Sequence, residues 1–172
     1  MANTYTLIAS NTLGSSAASV TFSAIPATFT DLVLRTSVRD GQANANSQVK
    51  LTINGLATTI NSRTSIYADS ATPGSSRTSN AADLRWFYTD GDNATADTFS
   101  NGEIYIPSYT ASQNKPLSSV SFAENNATNP NMGIIAGLIR ETGAITSITL
   151  VPNTAVDFLT GSSFFLYGIS SS

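Results

Sequence analysis

Thr30-Asp31-Leu32-Val33-Leu34-Arg35-Thr36-Ser37-Val38-Arg39 decides the fold class. Leu32, Leu34 and Val38 fall on one side of a period-two pattern, and Asp31, Arg35 and Ser37 fall on the other. Alternation over this length is the signature of a half-buried β-strand. Gln48 to Asn54 repeats it, with Val49, Leu51 and Ile53 inward. Asn54-Gly55 follows, the pair best suited to the positive φ angles of a type I′ turn, so Leu56 to Ile60 is expected as a returning strand.

Outward from these two runs the period stays at two. Strands are expected over 5–9, 18–24, 83–89, 98–106, 117–123, 133–140, 145–151 and 163–169, with Thr142-Gly143 as a tight hairpin. β-Branched and aromatic residues fill the runs, and Gly, Asn, Asp and Ser fill the gaps. Two long loops are expected, over 68–82 and 123–132. A helical turn at Ala43 to Asn46 is the most helix the pattern allows. Some ten short strands without a βαβ rhythm predict one all-β domain over residues 1–172, an antiparallel β-sandwich. A jelly roll is the first choice of topology, and an immunoglobulin-like sandwich is the second.

Composition narrows the chemistry. The 172 residues include no cysteine and no histidine. That removes thiol catalysis, cysteine-based zinc sites and the Ser-His-Asp triad, together with the commonest general base and metal ligand. Charged residues make up 11% of the chain, less than half the roughly 25% of an ordinary soluble domain. With 41% hydrophobic residues and a net charge of -3, the chain still has the composition of a folded protein. Its few cations are scattered and give no nucleic-acid footprint. No apolar run approaches the roughly 18 residues of a membrane span, and Met1 to Ser10 lacks the basic and apolar regions of a secretory signal.

Sites that remain are sparse. A Ser-Lys pair could use Lys50 or Lys115, but no motif surrounds either. Eleven acidic residues make a glycosidase-type carboxylate pair available by chance, without informative spacing. Thr89-Asp90-Gly91-Asp92-Asn93, with Asp97 beyond, has the oxygen-rich character of a calcium loop. It lacks the ligand and glycine that an EF-hand needs next, and a hairpin turn explains the same residues. No catalytic residue, metal or cofactor is assigned.

The informative anomaly is strands that are apolar on both faces. In Ser163 to Ile169, Phe164 and Leu166 point one way, while Phe165, Tyr167 and Ile169 point the other. Asp83 to Thr89 sets Leu84, Trp86 and Tyr88 opposite Phe87, which lies beside Arg85. In Gly133 to Ile139, Ile134 and Leu138 oppose Ile135 and Ile139. Such strands are covered either by the chain's own long loops or by another chain. On the second reading Phe87, Arg85, Phe165 and Tyr167 are the candidate interface residues.

Several phrases carry a resemblance. They are Phe22 to Arg35, centred on Ile25-Pro26-Ala27-Thr28-Phe29-Thr30-Asp31, then Asn101-Gly102-Glu103-Ile104-Tyr105-Ile106-Pro107-Ser108-Tyr109. Ala136-Gly137-Leu138-Ile139, Ile145-Thr146-Ser147-Ile148-Thr149-Leu150 and Phe165-Leu166-Tyr167-Gly168-Ile169 follow. Together they resemble small virion structural proteins of tailed phages, marine and cyanobacterial ones especially. The resemblance implies a β-sandwich or jelly-roll subunit on the capsid exterior or in tail fibres, often a homotrimer, with the major capsid protein and itself as partners. Direct contact with nucleic acid or membrane is not expected. A capsid decoration (cement) role leads. The alternative is a receptor-binding fibre domain that would recognise a glycan through Tyr67, Tyr109 and the Asn125-Asn126 loop. Within the resembling phrases, Asp31 and Arg35 lie four residues apart on one strand face, so each is expected to pair with a neighbouring strand.

Overall fold

The computed structural model describes residues 4–58, 60–82, 85–126 and 129–170, apart from the side chain of Trp86. The strands in chain order are β1 (Tyr5–Thr12), β2 (Val20–Phe22), β3 (Asp31–Val38), β4 (Asn46–Ile53), β5 (Asn61–Asp69) and β6 (Thr72–Ala81). They continue with β7 (Arg85–Asp90), β8 (Ser100–Ile106), β9 (Lys115–Ala123), β10 (Asn131–Ile139), β11 (Ile148–Pro152) and β12 (Ser163–Ile169). No helix occurs among the described residues. Eight strands form one antiparallel sheet in the order β1-β12-β3-β8-β9-β10-β5-β6, and four form a second in the order β2-β11-β4-β7. The two enclose a single core, so the expected antiparallel sandwich is the architecture. Its twelve strands in unequal sheets do not spell out the eight-stranded jelly roll.

The core follows from the alternation. β3 turns Leu32, Leu34 and Val38 inward to meet Val49, Leu51 and Ile53 of β4, and all six are essentially inaccessible. β12 adds Phe164 and Leu166, and β11 adds Ile148 and Leu150. A bulge between Leu7 and Ala9 shifts the pairing of β1 with β12. It brings both Ile8 and Ala9 against the core.

Three expectations change. Asn54 and Gly55 do turn the chain with positive φ angles of 50° and 67°, but no strand returns. The Asn54 side chain holds the 144–147 segment, accepting from the Thr146 and Ser147 amides and donating to the Ala144 carbonyl. The chain then crosses to the other sheet and begins β5 at Asn61. Thr142-Gly143 likewise links β10 to β11 in different sheets and closes no hairpin. The expected loop over 68–82 is mostly β6, which pairs with β5. Its Ser- and Thr-rich sequence suits the rim of a sheet, where one side of the strand stays in water and Pro73 costs no ladder bond.

The sheets meet most closely where β7 crosses β8, β9 and β10. On the inner face of the large sheet, Gly102, Ser121 and Gly133 lie side by side on those three strands. A Cβ at Gly102 would stand 3.2 Å from the Phe87 ring, and one at Gly133 would stand 2.9 Å from the Tyr88 ring. The Tyr88 amide donates to the Ser121 hydroxyl at 3.0 Å. The trough of small residues is therefore filled by aromatic rings from the opposite sheet. Phe87, proposed from sequence as an interface residue, is 2% exposed and belongs to the core. The trough accounts for its burial without any partner. Leu84 lies outside the described residues.

Gly168 repeats the arrangement on β12, where a Cβ would come within 2.3 Å of the Phe29 ring. Gly168→Ala should therefore expel that ring and cost about 1–3 kcal/mol, as overpacking does. Chemical denaturation checks this, and an unchanged midpoint would contradict it.

Candidate functional site

The pleat that sends small residues inward on β9 sends large ones outward. Ser119 and Ser121 are buried, at 3% and 1%, while Phe122 is 41% exposed, with half-buried Val120 on the same outer side. On β10, Ile135 and Ile139 enter the core, and Met132 and Ile134 emerge at 45% and 58%. Ile66 of β5 is 67% exposed, and Tyr5 and Leu7 of β1 are about half exposed. All lie on the outer face of the eight-stranded sheet. The long loops read from sequence as a possible cover do not enclose it.

The register arranges these side chains in rows across the sheet. One row runs Leu7, Tyr167, Val33, Tyr105, Ser118, Ala136 from β1 to β10. The next runs Ser10, Phe165, Arg35, Glu103, Val120, Ile134 and continues to Ile66 of β5. A third runs Thr12, Ser163, Ser37, Asn101, Phe122, Met132 over the same strands. Two apolar lobes result, on β1 and β12 and on β9, β10 and β5.

Between the lobes sits one ion pair. Arg35 Nε donates to Glu103 Oε2 at 2.7 Å, and both side chains remain about half exposed. Hydrogen bonding to Glu103 holds the guanidinium still more firmly protonated than usual. Arg35 also lies 5.9 Å from the centroids of the Tyr5 and Tyr167 rings, so stacking limits its freedom. Asp31 accepts from the Tyr105 hydroxyl and the Ser108 amide, each at 2.8 Å. Both charges therefore pair away from their own strand, as their spacing predicts. The outer face of the smaller sheet differs in character: Thr21, Thr149, Thr52 and Gln48 lie there, and Thr21 and Thr149 hydroxyls meet at 3.0 Å.

The calcium-like loop already holds a cation, and it is the chain's own. The buried Arg39 guanidinium donates five hydrogen bonds into it, to the carbonyls of Asp92, Ala94, Thr95 and Thr98 and to the Thr98 hydroxyl. Beside it lie two fully buried carboxyls. Asp40 Oδ1 accepts the Gln42 amide and Asp90 Oδ1 accepts Asn125 Nδ2 at 2.6 Å, while the second oxygen of each has no partner. Burial raises both carboxyls above the ordinary value of 3.8. Among the described residues no group of three or more acidic side chains could hold a metal ion. Lys115 is a second internal cation, inaccessible and donating to the carbonyls of Ala111, Gln113 and Thr142. It is therefore unplaced to serve as base for a serine.

Phe165 and Tyr167 are the two proposed interface residues that share a surface, and they form part of the first lobe. Arg85 lies elsewhere, on β7 of the smaller sheet, where its Nε donates to Asn153 Oδ1 at 2.9 Å. Of the glycan candidates, Tyr109 is inaccessible with its hydroxyl on the Pro26 carbonyl, and Asn125 is 2% exposed. Sequence reasoning flagged Ile134 but missed Ile66 and Phe122. Serines alternating with Val120 and Phe122 were the available sign that one side of β9 is reserved for small residues.

No family model matches this chain, and no curated protein matches it. The solved structures similar at a low level include two peptidases. A scytalido-glutamic peptidase bound to a transition-state analogue shows a TM-score of 0.27 and 11% identity, over 91% of this chain and 66% of that one. The CspB protease of Clostridium perfringens shows a TM-score of 0.19 and 8% identity, over 88% of this chain and 25% of that one. Likeness at this level carries no argument about activity.

Arg39→Ala would strand the carbonyls of Asp92, Ala94 and Thr98 and should cost about 3 kcal/mol or more, whereas calcium or a chelator should leave wild-type melting unchanged. Equal stability of wild type and variant would refute the internal-cation reading. For Asp40 and Asp90 the sign is set by the raised carboxyls: the folded state holds more protons, so stability falls as pH rises above 3.8. Asp90→Asn should flatten that fall in melting temperature, and parallel pH profiles would contradict it.

Proposed function

We propose that this chain is a structural subunit of a virion, a capsid decoration (cement) protein of a tailed phage that acts as an oligomer on the capsid exterior. The observation that carries a building role is the pair of apolar lobes on the outer face of the eight-stranded sheet. Isolated exposed apolar residues are ordinary, but exposed apolar side chains clustered on neighbouring strands mark a contact surface. The virion setting comes from the resembling phrases, which include Phe165-Leu166-Tyr167-Gly168-Ile169, the strand that supplies part of that face.

The chemistry suits the role. Contacts made of apolar side chains, hydroxyls and amides weaken little with salt, unlike ion pairs between exposed charges. A receptor-binding role loses support because Tyr109 and Asn125 lie inside the molecule.

Ile134→Asp, at an exposed position, should leave the fold intact and reduce the copies bound per particle at least tenfold. Particles lacking the subunit should release DNA at lower temperature while adsorbing to cells normally. Quantitative gel analysis of purified particles and a DNA-release melting curve provide the readouts. Full occupancy by the variant, or normal heat resistance with failed adsorption, would overturn the proposal.

A further inference from the structure

We propose that the outer face of the eight-stranded sheet is closed by the same face of a second copy. The two-fold axis would lie in the interface, along the strands, between β3 and β8. This rests on the reading of that face as an assembly surface and names its occupant.

Size is the first argument. The six strands that would overlap, β1 to β10 in sheet order, lie about 4.8 Å apart and share about seven residues at roughly 3.4 Å each, which presents on the order of 600 Å². A standard stable interface covers roughly 800 Å² on each partner. The overlap is smaller than that standard, at on the order of 1,200 Å² in total, but clears the roughly 1,000 Å² expected of a specific interface, and it leaves β5 and β6 outside.

Position is the second. The Arg35–Glu103 pair bridges β3 and β8. Moving outward one strand reaches β12 on one side and β9 on the other, and a second step reaches β1 and β10. An axis through the pair therefore lays the β1 and β12 lobe on the partner's β9 and β10, and leaves Ile66 of β5 outside the contact. β3 would face the partner's β8, β12 its β9, and β1 its β10.

Shape then follows row by row. In the first row Tyr167 would meet the partner's Ser118, and Leu7 the partner's Ala136. In the third, Phe122 would meet the partner's Ser163, and Met132 the partner's Thr12. The middle row sets Ile134 against the partner's Ser10, and Phe165 against the partner's Val120. A large side chain meets a smaller one in each of these pairs, as interdigitating sheets require. Aligned sheets cross at roughly 30°, so the match is closest near the axis.

Charge completes it. Arg35 would face the partner's Glu103, and Glu103 the partner's Arg35. The four charges alternate in sign instead of confronting like with like. A trimer, the expectation from resemblance, would join unlike patches of neighbouring copies and would make no use of a face that complements itself.

The test uses charge exchange in the full chain. Wild type should sediment at twice 17.9 kDa. Arg35→Glu alone and Glu103→Arg alone would each place four like charges at the axis, so each should associate at least tenfold more weakly. An equimolar mixture of the two variants should restore the dimer, because one copy supplies two negative groups and the other two positive ones. Circular dichroism and melting confirm that each variant is folded. A monomeric or trimeric wild type, or folded variants that stay monomeric when mixed, would overturn the inference. Its failure separates from failure of the assembly reading. A monomeric wild type whose particle binding is still lost in Ile134→Asp sinks only the dimer. A wild-type dimer with Ile134→Asp at full particle occupancy sinks only the virion role.

Discussion

The seating of β7 on the large sheet is the contact on which the other features depend. Phe87 and Tyr88 need room, and Gly102, Ser121 and Gly133 supply it by having almost no side chain. A strand has only two faces. Small residues where β9 and β10 pass beneath β7, at Ser121 and Gly133, leave Val120, Phe122 and Ile134 to the outer face. The inside of the molecule thus makes its outside apolar. One packing decision ties the sheets together and creates the surface that another chain would cover.

That coupling explains what was legible in the sequence. Alternation in Thr30 to Arg39 and Gln48 to Asn54 was enough for strands and for an all-β sandwich, because those strands follow the simple rule of apolar inward. β12 was also readable, since both of its faces are apolar and the ends of the run are clear. β9 inverts the rule. Ser119 and Ser121 are buried while Val120 and Phe122 lie outside, although Leu117 points inward, and the alternation does not tell which side of Leu117-Ser118-Ser119-Val120-Ser121-Phe122-Ala123 faces the core. The answer resides in β7, some thirty residues away in sequence. For the same reason Phe87 looked like a surface anchor: without its trough, its apolar bulk had no visible destination.

Turn chemistry was equally partial. Asn54-Gly55 carries the backbone angles expected of a tight hairpin, yet the direction of exit is set by the Asn54 side chain, which binds the 144–147 segment. The β6 rim strand failed to register because its Ser- and Thr-rich sequence has no apolar face to alternate. The oxygen-rich loop was recognisable as a cation cradle, but the cation came from Arg39, some fifty residues earlier. Distance along the chain hides each of these partners equally well.

The guanidinium in that cradle has a consequence for where such a molecule can persist. A bound ion exchanges with its surroundings, so a calcium-held loop loosens whenever the free ion is diluted or sequestered. Arg39 is covalently tethered and cannot dissociate from the loop. Its occupancy of the loop is independent of what is dissolved outside. A loop held in this way keeps its shape when the ionic composition around the molecule changes abruptly.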